Sequence, residues 1–438
     1  MSSTKRTARD GLSRDITSPD ASSLAKRDSS RVGPKNRKDV VRLLDDAMFR
    51  VRDGHPWVYR EALLGRRLEA PVGAPIRLVD RNGNFLAWAL SDQDSNLVLR
   101  VHSRRDSAGP RPDCPMVVQR ALDFRKDYPF ANDGGAYRLL SGDCEGFPAT
   151  NIDYYAGYIV VSIYSPVVLP YIKDLVSALN DKLSPKAIYV QHRVRARPEG
   201  KALPPSRLAA GIAPKGLVHI EEAGMKIAVD VSAPLGTGFF NDMRVARDWL
   251  RQWLRTRPDA AILNTFSYTG AFSVLAAMNA ARSVVSVDIA ASAHERAITN
   301  FKLNGLDPEQ HVFETMDAFA SMTRRQQRGE LFDLVILDPP TYATNRDGKK
   351  RSFTALKDYA ELVKTAVDVT KDSGYILAAT NAVKFSRADF EKAIGRAASQ
   401  KGVSLSIVRH IPLPEDYPLI PSFAEANYLK VLLLKLTR

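Results

Sequence analysis

The run Phe332-Asp-Leu-Val-Ile-Leu-Asp-Pro-Pro-Thr-Tyr342 limits what this chain can fold into. Leu334 to Leu337 is a short apolar stretch of the kind that fills a fully covered parallel strand. Pro339 and Pro340 cannot continue a sheet ladder, so the strand must stop at Asp338. The stop leaves a carboxylate, two rigid carbonyls and an aromatic ring at the carboxyl end of a strand. In open α/β sheets that end is where ligands sit. Asp338 and the Pro339 carbonyl can accept hydrogen bonds from a base edge, and Tyr342 can stack on its face. Read alone, the same residues also describe a strand-ending turn with a core tyrosine.

The preceding hundred residues repeat the pattern. Ala260 to Asn264 reads as a short strand. It is followed by a turn carrying Phe266, Tyr268, Thr269 and Gly270, and then by a helical run from Ser273. A second apolar run, Ser283 to Asp288, ends in an acidic residue followed by Ile289, with a helix predicted over Ala291 to Leu303. A third strand near Val312 leads to Asp317 and Ala318. Strands alternating with helices in this rhythm predict a doubly wound α/β sheet. Gly270 suits a tight turn. One glycine does not make the G-x-G-x-x-G fingerprint, which argues against a nicotinamide enzyme. A carboxylate ending the second strand is placed to bind ribose hydroxyls, although Asp288 by itself also reads as a helix cap.

Six ordered segments together resemble the class I S-adenosylmethionine-dependent methyltransferases, and more closely the bacterial 23S rRNA methyltransferases with an N-terminal PUA domain. They are Arg52–Tyr59, Arg138–Pro148 with Asn151–Tyr155, Gly236–Arg244, Asn264–Gly270, Val287–Asp288 and Asp338–Pro340. The resemblance implies a Rossmann-like methyltransferase domain preceded by a small β-barrel (PUA-like) domain and a central α+β domain, with S-adenosyl-L-methionine as cofactor. It implies that the Tyr268-Thr269-Gly270 turn passes under the methionine part, that Asp288 holds the ribose, and that Asp317 and Ala318 contact the adenine. It also implies that Asp242 and Arg244 line the same pocket. Read from the residues alone, those two also fit a surface ion pair at the start of a helix.

Cysteine usage bears on mechanism. Cytosine C5 is a poor nucleophile, and enzymes that methylate it usually add a thiolate to C6 first. In the cytosine-5 members of the resembled family that thiol follows the strand after the Asp-Pro-Pro helix. The matching stretch here, Gly374 to Phe385, has no cysteine, and the whole chain has two, Cys114 and Cys144. Cys114 falls in a proline-rich linker and Cys144 in a central-domain loop. Thr380-Asn381 instead resembles the Ser-Asn of the guanine-methylating members. Methyl transfer to a nitrogen needs an oriented lone pair and no covalent intermediate. The expectation is therefore a purine nitrogen, guanine first, with Asp338, Pro339, Tyr342 and Asn381 orienting the base. The alternatives are a cytosine-5 enzyme with another nucleophile, or an RNA-binding assembly factor that has kept only the fold.

The formal net charge is +14, from 63 basic and 49 acidic residues, which argues for a polyanionic partner. The expected partner is ribosomal RNA or the assembling large subunit, with a homodimer also open. Arg346, Lys349, Lys350 and Arg351 follow directly on the Asp-Pro-Pro motif and would hold phosphates beside the target nucleotide. Residues 1–38 read as a disordered basic tail, 39–108 as the PUA-like domain, 116–228 as the central domain and 229–438 as the methyltransferase domain. In the PUA-like part, Trp57, Tyr59 and Trp88 are either core or stacking platforms. No run of apolar residues is long enough to span a membrane, no His/Cys spacing suggests a metal, and two distant cysteines fit a reducing cytoplasm.

Overall fold

The computed structural model describes residues 39–65, 68–92, 96–194, 203–343 and 353–438. The expected tail, residues 1–38, and the basic cluster Arg346–Arg351 lie outside these residues.

The site is positioned by a seven-stranded sheet. Its strands are β1 (Ala261–Thr265), β2 (Ser283–Asp288), β3 (Val312–Thr315), β4 (Phe332–Leu337), β5 (Thr370–Thr380), β6 (Ser404–Ile411) and β7 (Lys430–Thr437). Their spatial order is β3-β2-β1-β4-β5-β7-β6. Strands β1 to β5 pair in parallel, and β7 pairs antiparallel with both β5 and β6. The helix α1 (Arg244–Arg255) precedes β1; parallel neighbours require crossovers, which here are the helices α2 (Ala271–Met278), α3 (Ala291–Leu303), α4 (Ala318–Gln327) and α5 (Ala355–Val369), and α6 (Arg387–Lys401) leads from β5 to β6. Val335, Ile336 and Leu337 of β4 are fully buried, as expected for a strand covered on both faces. Alternate residues feed two cores. Leu334 and Ile336 face the cluster with Trp249 and Trp253, while Val335 and Leu337 face the one with Tyr359 and Phe390. The chain winds outward in both directions from β1 and β4, so a crevice opens at the carboxyl ends of those two strands.

Ahead of this domain, Val40–Arg42, Trp57–Tyr59, Pro75–Val79, Phe85–Ser91 and Leu97–Ser103 form one five-stranded sheet. A second, mixed sheet contains Ala136–Ser141, Thr150–Tyr155, Tyr158–Ile163, Ala187–His192 and Ser206–Gly211. Among its described strands the parallel pair is Tyr158–Ile163 with Ala187–His192, bridged by the helix Ile172–Leu183. Cys114 does not sit in a linker. It begins the helix Cys114–Arg125, where Asp113 caps the Met116 amide at 3.0 Å and Pro115 occupies the first turn, an arrangement that suits both residues.

Candidate active site

Five neighbouring strand ends, those of β1 to β5, build one pocket. Between β1 and α2, the backbone at Phe266 (φ 56°), Tyr268 (φ 51°) and Gly270 (φ 79°) is left-handed. Two of these residues are not glycine, so the turn carries strain of the sort found at ligand clamps. Asp288 secures it from the end of β2, accepting from the Tyr268 amide and the Ala290 amide, both at 2.9 Å. Asn300 on α3 donates to the Thr269 carbonyl at 2.9 Å, and the Thr269 hydroxyl donates to the Gly238 carbonyl. A Cβ at Gly270 would lie 2.9 Å from the Ala297 Cβ. The turn therefore passes too close to α3 for any side chain at that position.

The resulting cavity has a volume of 380 Å³, within the range of cofactor sites. Of the sequence-predicted residues, Asp242, Phe266, Tyr268, Thr269, Asp288, Ile289, Asp317, Ala318, Asp338, Pro339 and Asn381 line it. Gly270 does not line it but starts α2 directly behind the turn. Asp317 also caps α4, accepting from the Ala320 amide at 3.1 Å.

Two predicted residues stand elsewhere. Arg244 is turned away from the cavity, where it donates to the fully buried Asp416 at 2.7 Å and to the Ala136 carbonyl at 2.8 Å. Its guanidinium also stacks on Phe130 at 3.9 Å. The reason is geometric: Asp242 lies in a short 3-10 turn before α1 and Arg244 begins the helix, so they point to different sides. Tyr342 is 67% exposed. It lies in a two-residue strand paired with Phe353–Thr354, outside the cavity wall.

Sequence reasoning missed several lining residues. Phe240, Arg247, Phe319, Phe353 and Leu429 all face the cavity. Phe240 lies inside the Gly236–Arg244 segment that was singled out, and Phe319 follows Asp317-Ala318 directly. Leu429 is brought in by β7 from the end of the chain, and no local signal marks it.

Asp338 is electrostatically unusual. Among the described residues no donor reaches its carboxylate. Burial, and then the negative charge of Asp242, raise it from the ordinary 3.8 to about 7, with Arg247 opposing. Asp242 is also raised by burial, although the Tyr428 hydroxyl donates to it at 2.7 Å and favours its charged form. The Arg247 guanidinium is already committed to Glu222 (2.6 and 2.8 Å) and to the Phe240 carbonyl. The pocket thus presents two acceptor groups to whatever enters it, with no cation dedicated to either. Asn381 is fixed beside them: the Thr341 hydroxyl donates to its carboxamide oxygen at 2.7 Å, and buried Lys430 ties down the next carbonyl, Ala382, at 3.0 Å.

Neither cysteine lines this cavity. Burial pushes both thiols, Cys114 and Cys144, up to about 12, so neither is a thiolate at neutral pH.

A family model described as S-adenosylmethionine-dependent methyltransferase matches residues 183–435. The chain belongs to this family. A PUA-like domain model matches residues 41–104, which contain the first five-stranded sheet except for Val40. The methyltransferase is 34% identical over 394 residues to YwbD of Bacillus subtilis, covering 88% of this chain and 96% of that one. It is 31% identical over 379 residues to Ribosomal RNA large subunit methyltransferase I of Enterobacter sp. (strain 638), covering 86% and 94%. Among solved structures, SMU.776 complexed with SAH superposes with a TM-score of 0.80 at 25% identity, covering 90% of this chain and 99% of that one. The methyltransferase therefore takes S-adenosylmethionine as its cofactor, and the cavity fits it. The turn lines the cavity from Phe266 to Thr269, Asp288 keeps free lone pairs for ribose hydroxyls, and Phe266, Ile289, Phe319 and Phe353 offer apolar walls to a flat base.

Proposed function

We propose that this methyltransferase modifies a base of large-subunit ribosomal RNA, at a guanine nitrogen and without a covalent enzyme–base intermediate. The observation that carries the chemistry is the pairing of a near-neutral carboxylate at Asp338 with a pocket that no cysteine lines. The RNA substrate rests on the name of the Enterobacter relative, the PUA-like match and the net charge of +14. The cofactor supplies an electrophilic methyl group on a sulfonium sulfur. Asp338, the Pro339 carbonyl and Asn381 orient the base edge so that a nitrogen lone pair faces that methyl. The S–CH₃ bond breaks as the N–CH₃ bond forms, and sulfur keeps the electron pair. Where the attacking nitrogen bears a hydrogen, the proton passes to the Asp338 carboxylate, whose value near 7 suits a proton acceptor at neutral pH. Exposed Tyr342 serves as a platform on the RNA side, and Arg346, Lys349, Lys350 and Arg351 hold flanking phosphates.

The test is methyl transfer from labelled cofactor to rRNA from cells lacking this gene, followed by nucleoside mass spectrometry. Label in a methylguanosine is the expected result. Label in 5-methylcytidine would overturn the nitrogen reading, and no incorporation into rRNA would overturn the substrate.

A further inference from the structure

A second cavity, of 130 Å³, lies where three parts of the chain meet. Trp57 comes from the PUA-like match, Ser141, Asp143 and Cys144 from the middle sheet region, and Phe423, Glu425 and Tyr428 from the end of the methyltransferase match. Its aromatic side is rigid. The Trp57 indole N–H donates to Asp143 at 3.0 Å, and its ring meets Phe423 edge-on at 4.7 Å. Its polar side is rich in acceptors. Among the described lining residues the cation is Arg138, neutralised by Asp153 at 2.8 Å and stacked on Tyr417 at 4.6 Å. Asp143 and Glu425 are partly exposed on the cavity side; each already has a neighbour, Arg100 at 3.5 Å and His55 at 3.7 Å, and each keeps a carboxylate's further lone pairs. A phosphate would meet carboxylate oxygens there, with the lining arginine already paired. A flat group carrying N–H donors would meet ring faces and carboxylate edges together, which is how proteins hold unstacked bases.

We propose that this cavity holds an unpaired, amino-bearing nucleobase of the substrate RNA, a second contact besides the base that is methylated. The assignment rests on the RNA reading given above. Tyr428 lines this cavity, and its hydroxyl donates to Asp242 in the wall of the cofactor pocket. One hydrogen bond therefore connects the two sites.

The direct test is the Trp57 indole N–H resonance in the full chain labelled with ¹⁵N-tryptophan, assigned through Trp57→Phe. All samples contain saturating S-adenosylmethionine, so that added nucleosides do not enter the cofactor pocket. Cytidine and adenosine should shift the resonance, uridine should do so at least several-fold more weakly, and ribose 5-phosphate should not shift it. Silence with every nucleoside, an equal response to uridine, or a response to ribose 5-phosphate would each overturn the proposal. A second arm uses Ala426→Phe, which fills the cavity. Its KM for rRNA should rise about tenfold while cofactor Kd stays within twofold. If the wild-type chain methylates no rRNA, the ribosomal reading fails. If it does and the variant's KM is unchanged, only the second site fails.

Discussion

Asp338 carries a charge that its surroundings oppose, and two expectations follow. Its value is raised in the folded protein from 3.8 to about 7, so the native state binds its proton more tightly than the unfolded chain does. The stability contributed by this group is present below pH 4 and is lost as pH rises towards 7. Asp338→Asn should therefore raise the melting temperature by several °C at pH 8, on the order of 1–3 kcal/mol, and have little effect at pH 4. The same substitution should lower methyl transfer by about 10²-fold or more, the scale of a lost general base. In the wild-type enzyme, kcat/KM should climb with pH to a midpoint near 7 and then level off. A pH-independent rate between 5 and 9 would remove the carboxylate from proton transfer. Asp242 differs from Asp338 in having a dedicated donor, the Tyr428 hydroxyl, so the two buried acids need not titrate alike.

At the scale of elements, the turn between β1 and α2 is the least forgiving part of the site. Gly270→Ala combines a left-handed φ of 79° with a Cβ only 2.9 Å from Ala297. It should cost about 1–3 kcal/mol and weaken the cofactor by about tenfold, read by thermal unfolding and calorimetric titration. Stability loss with unchanged affinity would mean that the turn does not touch the cofactor. This part of the molecule was legible in the sequence because its signals are local. Apolar runs mark β1, β2 and β4, prolines stop β4, and acids fall at the strand ends. Partnerships formed across the chain were not legible. Tyr428 lies 186 residues from Asp242, and Asp416 lies 172 from Arg244. The resemblance placed Arg244 in the pocket, and the residues alone suggested an ion pair at the helix start; nothing near Arg244 in the sequence reveals the buried acid that holds it. Strand Ala136–Ser141 has no local mark for a related reason: it is buried along nearly its whole length, without the alternation of a half-exposed strand.

At the scale of the described residues, a buried ion pair and its hydrogen bonds join the separate sheets. Asp416 has no exposed surface, binds Arg244, and accepts from the Arg138 amide at 2.7 Å. Arg125 reaches the Asp416 carbonyl at 2.8 Å. Arg244→Ala would leave a buried carboxylate without its cation and should cost about 3–5 kcal/mol in denaturant unfolding. Cofactor affinity of the folded variant should stay within a few fold. Affinity lost with stability intact would return Arg244 to the pocket. These links hold the sheet that carries Arg138 and the helix Cys114–Arg125 against the methyltransferase domain. No helix among the described residues is long and apolar enough to cross a membrane. The claim on which the account turns is methyl transfer without a protein thiol. It is tested by replacing both cysteines, Cys114→Ala with Cys144→Ser, and measuring labelled methyl incorporation into unmodified rRNA, with cofactor binding as the check on folding. The account predicts incorporation within about threefold of wild type, in keeping with two thiols that burial holds protonated. A folded, cofactor-binding variant that transfers nothing would contradict it.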